Sequence, residues 1–136
     1  MANRTSAPSL HAFVDQPTVS LTTFRRDATP VNTPVNLAVD LDRAFFRTWD
    51  TSGKAKRLRR NPRVEIAPCT FWGTVTGRSL AAEAKPVDGA RAEYARRLIE
   101  RKHPLLQGLI VRYGHRLTGR RTVYFEVAPA GKSAFG

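Results

Sequence analysis

The chain has 136 residues, a length typical of one domain, and 41% of them are hydrophobic, which excludes a wholly disordered protein. Lysine and arginine number 23 against 11 acidic residues, so the net charge is +12. Such a surface attracts an anionic partner: nucleic acid, an anionic membrane or a multiply charged small molecule. The single cysteine, Cys69, excludes an internal disulfide framework and a zinc cluster built on cysteines.

The N-terminal segment is polar and lacks the apolar run of a signal peptide, and no segment has the ~18 consecutive apolar residues of a membrane span. We therefore expect a soluble, cytoplasmic protein without membrane association. Residues 1–16 are predicted to form a loosely ordered arm with one short helix near Leu10 to Phe13. Residues 17–129 form the single predicted domain, and residues 130–136 form a tail.

Alternating apolar residues predict a strand over 19–24, a turn over 25–30 and a long strand over 31–39. Pro34 lies inside that long strand, and because proline has no N–H to donate, it indicates an edge or a bulge. Residues 40–43 turn the chain into a third strand, 44–48. Together these predict a three-strand meander.

Ser52 has the position of an N-cap for a short basic helix over 53–60. Two more strands, 63–67 and 79–87, precede a helix capped by Asp88. A further helix after Pro104 and a last strand, 122–128, complete the order. The chain is therefore predicted to be mainly β (α+β), an antiparallel barrel of about six strands with three flanking helices.

The basic residues concentrate in one segment. Residues 43–63 hold eight of them against one acid, Asp50. Lys54 and Lys56 fall at the start of the predicted helix, where the helix dipole disfavours cations by roughly 0.3–1 kcal/mol. The helix N–H groups, the Ser52 hydroxyl, Gly53 and the two ammonium groups together indicate a phosphate cradle. An ordinary solvated basic helix remains the alternative from this spacing.

Several motifs in order resemble one family. The set comprises Thr22 to Pro30, Thr33-Pro34-Val35, Arg47-Thr48, Ser52-Gly53-Lys54-Ala55-Lys56-Arg57-Leu58 and Asn61-Pro62-Arg63-Val64. It resembles the pyridoxamine 5'-phosphate oxidase-like split β-barrel superfamily, of the FMN-binding split-barrel type, from about Thr18 to Ala128. The continuation Glu65 to Cys69, with Gly73 and Gly77, is similar to the actinobacterial branch that uses the deazaflavin coenzyme F420.

This resemblance implies a homodimer of split barrels with a cofactor at each end of the interface. The ring of the cofactor would lie along the second and third strands, and Thr48, Ser52 and Lys54 match the phosphate-binding positions. The full set of cofactor-binding candidates is Thr33, Pro34, Val35, Arg47, Thr48, Ser52, Gly53, Lys54, Lys56 and Arg57. A groove with Arg57, Arg59, Arg60 and Arg47 would suit the oligoglutamate tail of coenzyme F420 better than the single phosphate of FMN.

The implied activity is that of a coenzyme F420-dependent oxidoreductase transferring a hydride from the reduced deazaflavin to a small organic substrate. No catalytic side chain is assigned. Trp49, Phe71 and Trp72 are candidates to line a pocket for a planar substrate, and equally candidates for a dimer interface. No metal site is expected, because the three histidines lack ligand spacing.

Three alternatives remain open from the sequence. An FMN-dependent oxidoreductase, or a protein that binds a flavin, a deazaflavin or a haem-type ligand without catalysis, would use the same fold. A barrel that binds single-stranded nucleic acid also fits the high charge. This last alternative is disfavoured because the basic residues cluster at one helix start and do not alternate with aromatics along a sheet.

Overall fold

A computed structural model of the chain describes residues 9–70, 72–103 and 121–130. A 3₁₀ turn, Leu10–Phe13, precedes two α-helices, α1 (Gly53–Arg60) and α2 (Gly89–Lys102). The seven strands are β1 (Val19–Phe24), β2 (Pro30–Val35), β3 (Ala38–Asp40), β4 (Arg43–Trp49), β5 (Arg63–Pro68), β6 (Leu80–Val87) and β7 (Thr122–Pro129). They form one antiparallel sheet in the order β2-β1-β5-β6-β7-β4-β3.

The connection between β2 and β3 shows that this sheet is curled. The two strands lie at opposite edges of the sheet, yet only residues 36–37 separate them in the chain. The three Cα–Cα steps from Val35 to Ala38 span at most about 11 Å, so the edges must approach each other. The inner face then encloses one hydrophobic core, which includes Phe46 and Phe125 stacked at 5.2 Å between ring centroids. The mainly β split-barrel prediction is confirmed.

The predicted strand over 31–39 is two strands, so the predicted three-strand meander is wrong. Val35 and Leu37 keep the alternation and are both buried, but the chain leaves the β1 edge after Val35 and next pairs with β4. The result is two separate hairpins, β1–β2 and β3–β4. Periodicity reports which side chains face inward, whereas it carries no information on which strand lies alongside.

Both α-helices pack through small apolar stripes, on different sides of the sheet. α1 contributes Ala55 and Leu58 to the core inside the barrel. α2 packs through Ala95 and Ile99 on the outside, against Phe45 of β4. The predicted helix over 53–60 agrees with α1, and the helix predicted after Asp88 is α2, whereas the helix predicted after Pro104 lies outside the described residues.

The two helix starts differ in their caps. The Ser52 Oγ accepts a hydrogen bond from the Ala55 N–H at 3.1 Å, so the predicted N-cap of α1 is confirmed. Asp88 precedes α2 but its side chain makes no capping bond, which corrects the second prediction. Gly89, with φ of +56°, supplies the unusual backbone angle at that start.

The segment before β1 is joined to the barrel. Leu10 and Phe13 are buried in the core. The Lys102 ammonium, at the end of α2, donates to the carbonyl oxygens of Gln16 at 2.8 Å and Leu37 at 2.7 Å. The domain boundary at residue 16 stays a prediction.

Neither α1, α2 nor any other helix in the described ranges has the length and apolarity needed to cross a membrane.

Candidate functional site

A chain of hydrogen bonds joins three of the predicted site residues at the start of α1. The Lys54 Nζ donates to the Thr48 Oγ1 at 3.3 Å, and that hydroxyl donates to the Ser52 Oγ at 3.0 Å. Because the Ser52 Oγ also accepts from the Ala55 N–H, its own proton remains to be donated elsewhere. The arrangement thus presents a hydroxyl donor and an ammonium at the positive end of a helix dipole.

A cavity of about 230 Å³ opens beside these hydrogen-bonded side chains and is lined by Arg47, Thr48, Trp49, Lys54 and Thr122. Pockets that enclose whole ligands are typically ~300–1,000 Å³, so this cavity suits one end of a larger molecule. The β4 residues that line the cavity follow Phe45, which is the last residue of β4 that pairs with β3. The cavity therefore stands at the split between the two sheet edges, at the start of α1.

The cations around the start of α1 repel one another. Burial, and then the charge of Arg57, lowers the pKa of Lys54. Burial lowers the pKa of Arg57, with further contributions from Arg25 and Arg60. Across the part of the chain that the structure describes, no salt bridge involves any of these four side chains. An anion bound here would relieve the repulsion.

Gly53 makes room for the central arginine of this group. The Arg57 Nε donates to the Thr23 Oγ1 of β1 at 2.6 Å. A Cβ at position 53 would stand 2.8 Å from the Arg57 Nη1, closer than side chains normally approach. Glycine therefore lets the guanidinium fold back over the first turn of α1, toward Lys54, and any larger residue would displace it.

Arg25 is the residue that the sequence interpretation missed. It follows β1 two positions after Thr23, and in an extended chain such residues point to the same side. This places it with Arg57, whose pKa it lowers. Arg59, included in the predicted groove, instead donates to the carbonyl oxygen of Asp50 at 2.8 Å.

Arg47 and Lys56 differ from the central group. Arg47 is half-buried and lines the cavity. Its charge acts on His103, whose pKa is lowered first by burial and then by Lys102 and Arg47. Lys56 is exposed on α1 and does not line the cavity.

The three residues predicted to border a cofactor ring lie on β2 and not in the cavity lining. Thr33 is half-buried, Pro34 exposed and Val35 buried. The pairing of β1 with β2 links these residues to the basic group. Thr23, which accepts the hydrogen bond from Arg57, pairs with Val31, two positions before Thr33. Pro34 stands on the edge strand of the sheet, as its missing N–H indicates.

The predicted aromatic pocket is divided. Trp49 lines the cavity, whereas Trp72 lies on the loop after β5 and is 87% exposed. Phe71 is outside the described residues.

Cys69 is buried, which raises the pKa of its thiol and makes it a poor nucleophile. Within the described ranges, no group of three or more histidine, cysteine or carboxylate side chains is arranged to hold a metal.

Solved structures share this fold at low sequence identity. A protein of unknown function from Agrobacterium tumefaciens matches with a TM-score of 0.69 and 15% identity, over 96% of this chain and 58% of that one. A haem-binding protein from Mycobacterium smegmatis matches at 0.63 and 15%, over 96% and 57%. A FAD-binding protein from Mesorhizobium loti matches at 0.61 and 12%, over 88% and 84%.

These identities show the fold alone, and the chain spans under two thirds of the length of the first two proteins. No curated protein matches the sequence. The family comparison is more informative, because the pyridoxamine 5'-phosphate oxidase family matches residues 7–128. That range contains every strand of the barrel except the last residue of β7, together with α1 and the cavity beside it. The chain therefore belongs to the pyridoxamine 5'-phosphate oxidase family.

Proposed function

We propose that this protein is a coenzyme F420-dependent oxidoreductase that transfers a hydride from the reduced deazaflavin to a small organic substrate. The observation that carries this proposal is the group of like charges at the start of α1. Lys54 and Arg57 are partly withdrawn from water, neighbour each other, and make no salt bridge within the described structure. The repulsion within this group destabilises the unliganded protein, and a bound anion would relieve it.

The extent of the charged group favours the deazaflavin over FMN. FMN ends in one phosphate, whereas coenzyme F420 continues beyond its phosphodiester into an oligoglutamate tail. The cations likewise continue beyond Lys54 to Arg57, Arg25 and Arg60. A single phosphate would engage only the first of them, and a carboxylate-bearing tail would engage the rest.

The residues take separate roles in this proposal. The Thr48 and Ser52 hydroxyls and the Lys54 ammonium would hold the phosphate, and Arg57 and Arg25 would hold the tail. β2, at Thr33–Val35, would border the ring, and when bound the deazaflavin supplies the hydride donor. The protein contributes position and charge compensation, and the described residues include no side chain that we assign as a proton donor.

We further propose a homodimer, with each subunit completing the other's site. The coverage of the sheet supports this: α2 packs on the outer face of β3, β4 and β7, whereas neither described helix packs on the outer face of β2. Light scattering should give twice the mass of one chain. A monomer that retains full cofactor affinity would contradict the shared site.

The test is a fluorescence titration of the purified protein with coenzyme F420 and with FMN, at low and moderate salt. We expect tight F420 binding that weakens as salt rises, and weaker FMN binding. Arg25→Ala should weaken F420 binding at least fivefold and FMN binding by less than twofold. The matched control, Arg26→Ala, removes the same charge from the neighbouring exposed position and should change neither affinity.

Each of the other possible titration results would support one of the alternative functions. Binding of FMN alone would make the protein a flavin-dependent member of its family. F420 binding without reduction of any of a panel of quinones, nitroaromatics and enones would indicate a cofactor carrier. If neither cofactor binds, the phosphate cradle is wrong, and single-stranded nucleic acid becomes the ligand to test.

A further inference from the structure

A buried hydroxyl of β1 is directed at the helix α1. Thr23 is 1% exposed, and its Oγ1 accepts a hydrogen bond from the Arg57 Nε at 2.6 Å. Branching at the Cβ limits the rotamers of threonine, and β1 lies between β2 and β5 in the sheet, so the position of this oxygen is well fixed. A long side chain on a short helix is therefore held by a rigid point on a strand.

A second contact limits where the guanidinium of Arg57 can lie. A Cβ added to Gly53 would stand 2.8 Å from the Arg57 Nη1 and 3.7 Å from its Nη2, so both terminal nitrogens lie over the first turn of α1. Lys54 follows in the chain and is near enough for the charge of Arg57 to lower its pKa. Within the described ranges, the bond to Thr23 is the one hydrogen bond that the Arg57 side chain makes. Its two terminal nitrogens therefore remain available to a ligand beside Lys54.

The acceptor that holds Arg57 is neutral, so the charge of the arginine is not compensated. By contrast, Arg91 of α2 is held by the carboxylate of Glu126, with bonds of 2.8 and 3.0 Å that also neutralise it. No salt bridge among the described residues involves Arg57. A hydroxyl positions a cation without neutralising it, which leaves the full charge for an anionic ligand.

We propose that Thr23 is a positioning residue that makes the site at α1 selective for an anion with two separate negative groups. Lys54 binds the first group, a phosphate, and Arg57, held by Thr23, binds the second, a carboxylate. This rests on the proposed function and deepens it, because it assigns the preference for a tailed cofactor to a residue that acts through Arg57. Holding the arginine in advance reduces the side-chain entropy that is lost when the anion binds.

The tail selectivity can be measured with coenzyme F420 and its precursor that carries the phosphodiester but no glutamate. In fluorescence titrations, the wild type should bind F420 at least fivefold more tightly than the precursor. Thr23→Val keeps the shape of the side chain but removes the acceptor, so this preference should fall below twofold. Thr23→Ser keeps the hydroxyl and should keep most of the preference.

A double-mutant cycle distinguishes positioning from a general loss of structure. Arg57→Met should weaken F420 binding at least fivefold, and adding Thr23→Val should weaken it by no more than a further 1.5-fold, because Thr23 acts through Arg57. Losses that multiply would show that Thr23 acts independently and would overturn the inference. Thr22→Val is the matched control. It removes the neighbouring hydroxyl of β1, which donates to the Asn32 Oδ1 at 2.9 Å, and should change the affinity less than twofold.

Inorganic anions test the same inference without a cofactor. Pyrophosphate carries two linked charged groups and phosphate carries one, so the wild type should bind pyrophosphate at least threefold more tightly in calorimetric titrations at equal ionic strength. Thr23→Val and Arg57→Met should each remove this difference. Arg57→Met gives this result even if Thr23→Val does not fold, and an Arg57→Met protein that keeps the difference would overturn the inference.

The outcomes separate the two proposals. Equal binding of F420 and its precursor by the wild type would overturn the selectivity and leave the proposed function standing. Failure of the wild type to bind either F420 or FMN would overturn the proposed function. In that case a pyrophosphate preference that depends on Thr23 would still support the positioning role, and no preference would overturn it.

Discussion

The two α-helices are both strongly basic, but only one of them neutralises its charges within the protein. On α2, Arg96 bonds Glu93 and Glu100, and Arg97 bonds Glu93. On α1, no salt bridge among the described residues involves a helix side chain. Positive charge on a helix is therefore uninformative by itself, and the informative property is whether carboxylates accompany it.

The same contrast extends to what each helix touches. Arg91 of α2 donates to both carboxylate oxygens of Glu126, at 2.8 and 3.0 Å, and Arg43 of β4 donates to the same group at 3.1 Å. Glu126 is only 7% exposed, so its charge is compensated where it is buried. At α1 the half-buried cation Lys54 donates to a hydroxyl and lies near another cation, with no carboxylate partner among the described residues. The first arrangement stabilises the fold, and the second is suited to a ligand.

The largest effect is expected where the compensated network is broken. Glu126→Gln keeps the shape but removes the charge that holds Arg91 and Arg43, so it should lower the free energy of unfolding by about 2–3 kcal/mol. Urea denaturation would measure this as a lower midpoint with an unchanged slope. Glu93→Gln, on the exposed side of α2, is the control and should shift the midpoint far less. Equal effects would show that the burial of Glu126 is unimportant.

Removing charge at α1 should have the opposite effect on stability. Lys54→Met deletes a partly buried cation beside Arg57, so the unliganded protein should be as stable as the wild type or more stable. The affinity for coenzyme F420 should nevertheless fall at least tenfold, about 1.4 kcal/mol. Lys56→Met removes the same charge from an exposed position and should cost less than threefold. Equal losses for the two variants would indicate a net-charge effect without a specific site.

These two regions also show what the sequence can predict. The Ser52 cap of α1 could be predicted because capping is local and operates over a few residues, whereas a role for Gly53 and Lys54 in binding an anion stays a prediction. The bounds of α1 and the existence of α2 follow from local sequence signals for the same reason. The break of the predicted strand over 31–39 was missed because its inward-facing residues continue the alternation while the chain changes partner. Pairing is a long-range property that alternation does not encode.

Arg25 was missed for a related reason. Nothing in the sequence separates it from its neighbour Arg26, since both stand in a polar turn. Only the pairing of β1 within the sheet and the bond from Arg57 to Thr23 bring Arg25 to α1. Conversely, Arg59 belongs to the basic helix but is turned to the Asp50 carbonyl. A cluster made by two distant segments is visible only once they are folded together.

His103 lies at the end of α2 and is affected by the charge of Arg47 in the cavity at α1, and it should give a smaller, pH-dependent change in stability. It ends α2, and its pKa is lowered by burial and then by Lys102 and Arg47, which lines the cavity at α1. The folded protein therefore binds this proton less readily than the unfolded chain, so stability should fall as the pH drops below about 6.5. The loss ends once the pH is below the pKa of the folded state. Thermal denaturation of the wild type and His103→Gln should show a pH-dependent difference that is absent above pH 7.5.

The smallest expected effect tests whether removing one cation changes the stability in opposite directions on the two helices. Arg60→Ala, on α1, removes a cation that faces Arg57, so the unliganded protein should become slightly more stable at low salt. Arg97→Ala, on α2, removes a cation whose Nε lies 3.2 Å from a Glu93 oxygen, so stability should fall slightly. Both shifts should shrink in 0.5 M NaCl, because both charges are exposed. Thermal denaturation at two salt concentrations measures them, and shifts of the same sign would remove the distinction between the helices. Opposite signs from the same substitution, on two basic helices that differ in whether carboxylates accompany the cations, would show that the charges of α1 oppose the stability of the unliganded protein and would support a role in binding an anion.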